Sequence, residues 1–169
     1  MRGACAALVL SALLASCERA APPASTPAAA QPRAASPPAE PAVAPVSFDV
    51  GEIKSAAEYL QDPQFASADL KRGQLLSLAC AACHTLDAGG KTIVGPNLHD
   101  MFGRHAAAAP DFDYSPALRA SGLTWTPRAL EAWLADPASF VAGTKMTFTG
   151  YRSAEDRRDL IAYLLHATQ

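Results

Sequence analysis

Four stretches of this chain carry apolar residues at helical spacing behind a polar start. Asp69 can cap a helix whose apolar positions are Leu75, Leu78, Ala79 and Ala82. Thr126-Pro127 opens a second, with Pro at the first helical position; Leu130, Trp133 and Leu134 form its apolar face, and it must stop before Pro137. Ser153 opens a third, with Asp156 three residues on as a capping box and Leu160, Ile161, Leu164 and Leu165 as a buried stripe, Tyr163 beside it. Residues 52–60 predict a short helix packed on a domain edge and ended by Asp62-Pro63.

The N-terminal third shows no such period. Residues 1–16 read as an export signal: Arg2 is its positive end, and an apolar stretch from Ala4 to Leu14 is too short to span a bilayer. Leu14-Ala15-Ser16-Cys17 resembles the bacterial lipobox, in which the Cys becomes the new N-terminus and is acylated. Residues 17–47 then form a lipidated Cys and a linker. Between Glu18 and Ser47 there are 8 Pro and 11 Ala in 30 residues, a composition that cannot bury enough apolar surface to order itself. Residues 48–68 are an N-terminal extension, and 69–169 the main domain.

Composition sharpens this division. Half of the 169 residues count as hydrophobic, but 38 of them are Ala, which buries little surface. The net charge of −2 offers no basic stripe for nucleic acid. Two of the four Cys, at 5 and 17, fall in the leader, and the other two are three residues apart, so no disulfide framework is predicted.

Cys80-Ala81-Ala82-Cys83-His84 has the C-x-x-C-H spacing of covalent haem attachment. On a helix, residues three apart share a face, so both thiols can reach the two haem vinyl groups while His84 directs its imidazole at the iron. A thioredoxin-like redox pair is an alternative, although no βαβ pattern surrounds the motif. Half of a zinc site is another, although no second Cys pair follows. Candidates for the iron's other side are Met101, Met146, His105 and His166. Met146 lies in a loop between Gly143 and Gly150, where glycines let the backbone turn close to a flat ligand.

From about Asp69 to Gln169 the chain resembles the class I c-type cytochromes of the mitochondrial and bacterial c2-like kind. Beyond Cys80–His84, the resemblance rests on Gly95-Pro96-Asn97-Leu98-His99, Phe102-Gly103-Arg104, Tyr114, Gly122-Leu123-Thr124-Trp125, and Gly143-Thr144-Lys145-Met146 with Phe148. It implies an all-α cytochrome c fold, with helices packed around one covalent haem c and long loops between them. It implies iron held by His84 and Met146, a Pro96 carbonyl bonded to the other His84 nitrogen, propionate contacts from Arg104, Tyr114 and Trp125, and Thr144 in the distal loop. It also implies that the last helix crosses the first near Gly73.

Three features depart from the family. Ser77 stands where an aromatic is usual four residues after Gly73, and Trp133 stands where a Tyr near the Met ligand is common. The lysine-rich docking face is missing, since residues 69–169 hold ten basic and ten acidic side chains. The expected role is a one-electron carrier, not an enzyme, lipid-anchored on the periplasmic side of a bacterial envelope membrane. It would be a monomer, taking an electron from a quinol-oxidising complex or a dehydrogenase and passing it to an oxidase, a reductase or a peroxidase. The alternatives are a fixed haem subunit of a larger redox complex and a peroxidase-like enzyme with a labile Met146.

Overall fold

Among the described residues, every helix starts on a residue whose side chain accepts from a free backbone N–H. The computed structural model describes residues 47–169, so the leader, Cys17 and nearly all of the linker lie outside the described residues. Seven helices follow: α1 (Ala56–Tyr59), α2 (Pro63–Ala66), α3 (Leu70–Ala81), α4 (Pro116–Ala120), α5 (Pro127–Ala135), α6 (Pro137–Phe140) and α7 (Ala154–Ala167). Their N-caps are Ser55, Asp62, Asp69, Ser115, Thr126, Asp136 and Ser153. Four of them have Pro in the first turn, where a missing N–H costs nothing. Among the described residues there is no strand, only an isolated bridge between His105 and Thr124.

The helix predicted over residues 52–60 begins only at Ala56. Ser55 and Glu58 close a reciprocal capping box there, and the residues before it form no regular element. That run is tied down by its backbone and one ring. Thr126 Oγ1 donates to the Val50 carbonyl at 2.6 Å, and Phe48 meets Phe140 edge to face at 5.0 Å. Phe65 of α2 enters the core. At α7 only half of the predicted capping box forms: Ser153 accepts from the Asp156 N–H.

The core lies where α5 and α7 pack together, around Leu130, Trp133, Leu134, Leu160, Ile161, Leu164 and Leu165. These are the stripes predicted for the two helices. The stripe predicted for α3 is wrong. Leu75 and Leu78 are 69 % and 63 % exposed, and Ala79 and Ala82 are exposed too. The buried residues of α3 are Gly73 and Ser77.

The reason is the closeness of α7. A Cβ on Gly73 would lie 2.1 Å from the Asp159 carbonyl oxygen and 2.7 Å from Tyr163 Cβ. Only glycine fits, and the next residue on that face, four positions on, is the small Ser77, whose hydroxyl donates to the Gln74 carbonyl at 2.7 Å. Leu75 and Leu78 of the same helix are left outside, while Leu76 packs partly buried against the core. The fully buried Asp159 carboxylate strengthens the crossing by accepting from the Asp69 N–H at 3.2 Å and from Arg158 Nε at 3.0 Å. Arg72 Nε donates to Asp156 at 2.7 Å nearby.

Two substitutions on α3 separate these faces. Gly73→Ala should lower stability by about 3 kcal/mol, since backbone must move to admit the methyl. Leu75→Ala should change it by less than about 0.5 kcal/mol. Denaturant midpoints of the two variants measure both, and equal costs would contradict the crossing.

Candidate functional site

α3 ends between the two cysteines. Cys80 lies in its last turn, Ala82 is the C-cap, and Cys83 and His84 lie just beyond. The Cys80 carbonyl accepts from the Cys83 N–H at 3.0 Å and the His84 N–H at 2.8 Å. This tightened turn, rather than a continuous helix, carries both thiols and the imidazole to the wall of one cavity.

The loop after it is fitted to the ring. The Gly95 N–H donates to the Cys83 carbonyl at 2.7 Å. A Cβ on Gly95 would meet the His84 imidazole at 2.4–2.9 Å, so a side chain there cannot coexist with the ring. The next carbonyl, of Pro96, lies 2.7 Å from His84 Nδ1. With that nitrogen donating, Nε2 is left as the basic one. Asn97 Nδ2 donates to Thr85 Oγ1 at 2.7 Å and holds the loop to the turn. Burial pushes the His84 imidazole below its ordinary pKa, and the bond to Pro96 partly opposes that. The ring is neutral at physiological pH, the form a metal binds.

The cavity has a volume of about 390 Å³. Besides Cys80, Cys83 and His84, its wall takes in Pro96, Arg104, Tyr114 and Trp125, and Thr144 and Met146 from the loop before α7. The rest is largely apolar, with Leu118, Leu130, Leu134, Phe112 and Phe148 prominent. Trp125 meets Trp133 edge to face at 5.5 Å, and Tyr114 meets Phe112 at 4.7 Å. The distal loop turns on Gly143 and Gly150, whose φ values of 89° and 90° are left-handed. Inside it Thr144 Oγ1 accepts from the Met146 N–H at 3.2 Å.

Met101 also lines the cavity, buried in the core, whereas Met146 is only partly buried. The two histidine alternatives lie elsewhere. His105 is exposed, with Nδ1 3.0 Å from Thr124 Oγ1, and His166 is exposed on the last turn of α7. Neither lines the cavity.

The sequence reading missed a clasp at the rim. Lys145 Nζ donates to the Asp113 carbonyl oxygen at 3.0 Å and to its carboxylate at 2.5 Å, and Arg119 pairs with the same carboxylate at 3.2 Å. Lys145, then Arg119, hold the Asp113 carboxyl below its ordinary pKa. A pair 32 positions apart leaves no local signal in the sequence.

The donor set fits a haem. A neutral imidazole and a thioether are iron ligands, and two thiols with C-x-x-C-H spacing can form covalent links. A guanidinium, a phenol and an indole N–H offer donors for carboxylates, and apolar walls suit a flat macrocycle. The two other readings of the cysteines fit poorly. Burial pushes the Cys80 thiol up to about 11, the opposite of the lowered thiolate that a thioredoxin-like pair needs. Among the described residues, no three His, Cys, Asp or Glu side chains converge as a protein-only metal site requires.

The family model for cytochrome c matches residues 70–168. Cytochrome c of Stellaria longipes is 41 % identical over 106 residues, which span 62 % of this chain and 98 % of the relative. Cytochrome c of Theileria parva is 42 % identical over 98 residues, 58 % of this chain and 84 % of the relative. Cytochrome c of Kluyveromyces lactis is 36 % identical over 105 residues, 62 % of this chain and 96 % of the relative.

Gly95→Ala should displace either the His84 ring or the loop that covers it. The expected outcome is a loss of about 1–3 kcal/mol in denaturant unfolding, with shifted ring-proton resonances of His84. Unchanged resonances would show that the ring does not sit against Gly95.

Proposed function

This chain belongs to the cytochrome c family, and from that premise we propose that it is an electron carrier tethered to a membrane of a bacterial envelope. It is a monohaem c-type cytochrome, an electron carrier rather than an enzyme, with one covalent haem c and its iron.

When bound, the haem supplies a reversible one-electron couple at its iron. The residues around the cavity do the rest. Cys80 and Cys83 would hold the macrocycle through thioether links. His84 Nε2 would face the iron, oriented by the Pro96 carbonyl on Nδ1. Met146 would take the other side, and a thioether there favours the reduced state and raises the potential. Arg104, Tyr114 and Trp125 would donate to the haem carboxylates, and Thr144 fixes the loop that presents Met146. The leucines and phenylalanines of the wall would keep water from the iron. With His84 and Met146 both holding the iron, no place would be left for a substrate. The observation that carries this reading is the gathering of Cys80, Cys83, His84 and Met146 with Arg104, Tyr114 and Trp125 on one apolar cavity.

The tether rests on the sequence. Leu14-Ala15-Ser16-Cys17 would place acyl chains on Cys17, and two or more chains anchor stably. No helix among the described residues is long and apolar enough to cross a membrane. The 30 residues from Glu18 to Ser47 would reach about 90 Å if fully extended, so the carrier keeps a high effective concentration at partners fixed in the same membrane. By this reading it works on the periplasmic side as a monomer in a respiratory or related chain. Its donor would be a quinol-oxidising complex or a dehydrogenase, and its acceptor an oxidase, a reductase or a peroxidase.

Met146→Ala should abolish the weak near-infrared sulfur-to-iron band of the ferric protein, and persistence of that band would remove Met146 from the iron. Cys17→Ser should move the haem protein from the membrane to the soluble fraction. A variant that stays on membranes would contradict lipid anchoring at that residue.

A further inference from the structure

Where the distal loop leaves the cavity, Tyr151 is bonded to three helices. Its N–H donates to the Leu134 carbonyl, in the last turn of α5, at 2.8 Å. Its carbonyl accepts from Arg157 Nη1 of α7 at 2.6 Å. Its phenol hydroxyl donates to the Leu76 carbonyl of α3 at 2.8 Å, across 75 positions of sequence. Its ring meets Phe148 edge to face at 5.0 Å, and Phe148 lines the cavity two residues after Met146.

The neighbouring backbone leaves this residue little freedom. Gly150 precedes it at a left-handed φ of 90°, and a Cβ there would lie 2.4 Å from the Ala135 carbonyl oxygen. Arg157 also donates to the Arg152 carbonyl at 2.8 Å and to Glu131 of α5 at 2.7 Å. The chain on both sides of Tyr151 is thereby fixed to α5 and α7, and the phenol adds α3.

That third bond lands at a particular place. Leu76 stands four residues before Cys80, so helical geometry turns its carbonyl toward the Cys80 N–H. A carbonyl has two lone pairs, so the phenol shares this acceptor without displacing the helical bond. Burial pushes the Tyr151 phenol above its ordinary pKa, and it stays a donor at physiological pH. α3 carries Cys80 and runs into the turn of Cys83 and His84, whereas Met146 lies in the loop that Tyr151 ends. One hydrogen bond therefore joins the wall that bears the thiols and the imidazole to the loop that bears the thioether.

We propose that Tyr151 is a positioning residue for Met146: its phenol bond to Leu76 holds the distal loop shut and keeps the thioether on the cavity. This rests on the reading of Met146 as the iron's second ligand and adds what keeps it in place. Tyr151 does not itself line the cavity. It acts through the short backbone back to Met146 and through the Phe148 ring. Opening the loop carries Met146 and Phe148 away from the wall, pulls Tyr151 with them and breaks the phenol bond.

The test uses the full haem-loaded chain carrying Cys17→Ser, with imidazole as a probe that binds ferric iron only where Met146 has left it. Its apparent affinity scales with the fraction of open loop. Tyr151→Phe removes the hydroxyl and leaves the Leu76 carbonyl its helical donor, so no acceptor is orphaned. It should tighten imidazole binding about fivefold, the net worth of one ordinary hydrogen bond. Tyr59→Phe is the matched control, because the Tyr59 hydroxyl donates to the Glu52 carbonyl at 2.6 Å in the N-terminal extension. It should leave imidazole affinity unchanged. Unchanged or weaker binding in Tyr151→Phe, or equal tightening in both variants, would overturn the proposal. Hydrogen exchange gives a second reading without substituting Tyr151. Saturating imidazole should speed exchange of the Tyr151 amide at least tenfold, and undiminished protection would overturn the proposal too, since the loop would then open without moving Tyr151. Lack of a sulfur-to-iron band before imidazole is added would instead sink the reading of Met146 as a ligand.

Discussion

The contact of the Gly73 backbone with the Asp159 carbonyl governs the placement of everything else. Two helices can approach that closely only where one of them has no side chain. Once α3 lies against α7 at that point, its axis is set and its last turn has one place to end. Cys80 and the turn to Cys83 and His84 follow from it. The Asp159 carboxylate adds a second fixed point by accepting from the first N–H of the α3 cap. The carboxylate's other oxygen is buried with no hydrogen bond, a cost that the crossing carries.

The site is then closed by loops rather than by further long helices. The Gly95-Pro96 segment lies on the His84 ring because glycine leaves room for it, and the Pro96 carbonyl fixes which nitrogen carries the proton. The distal loop is pinned at Gly143 and Gly150 by left-handed turns, and at Lys145 by Asp113. Loops held at several points give rigid ligands, and rigid ligands suit one-electron exchange, because little must reorganise when charge changes. Trp133 meets Trp125 edge to face at 5.5 Å and adds a second indole to the cavity wall.

Local signals were legible where a single residue decides an outcome. Asp69, Thr126 and Ser153 are the caps of α3, α5 and α7, and Pro137 opens a new short helix just past the end of α5. The stripes of α5 and α7 read correctly because both helices pack by burying large side chains. α3 read wrongly because its closest contact is made by small residues: Gly73 and Ser77 meet α7, Leu76 packs partly buried against the core, and Leu75 and Leu78 face out. An apolar period alone cannot distinguish a core stripe from a surface one when the true contact is made of small residues. The C-x-x-C-H spacing was legible because it is local, whereas Asp113 and Lys145 meet only after folding.

The crossing also has a bearing on time. Asp69 and Asp159 are 90 residues apart, and contacts of such separation close late, after nearby turns and short helices have formed. A chain made from its N-terminus presents the Cys80–His84 segment long before the 14 residues of α7 exist. Until that last helix arrives, α3 with Cys80 and the turn to Cys83 lack their main packing partner. The half of the fold that carries them is thus the last to shut, and the final helix acts as the door.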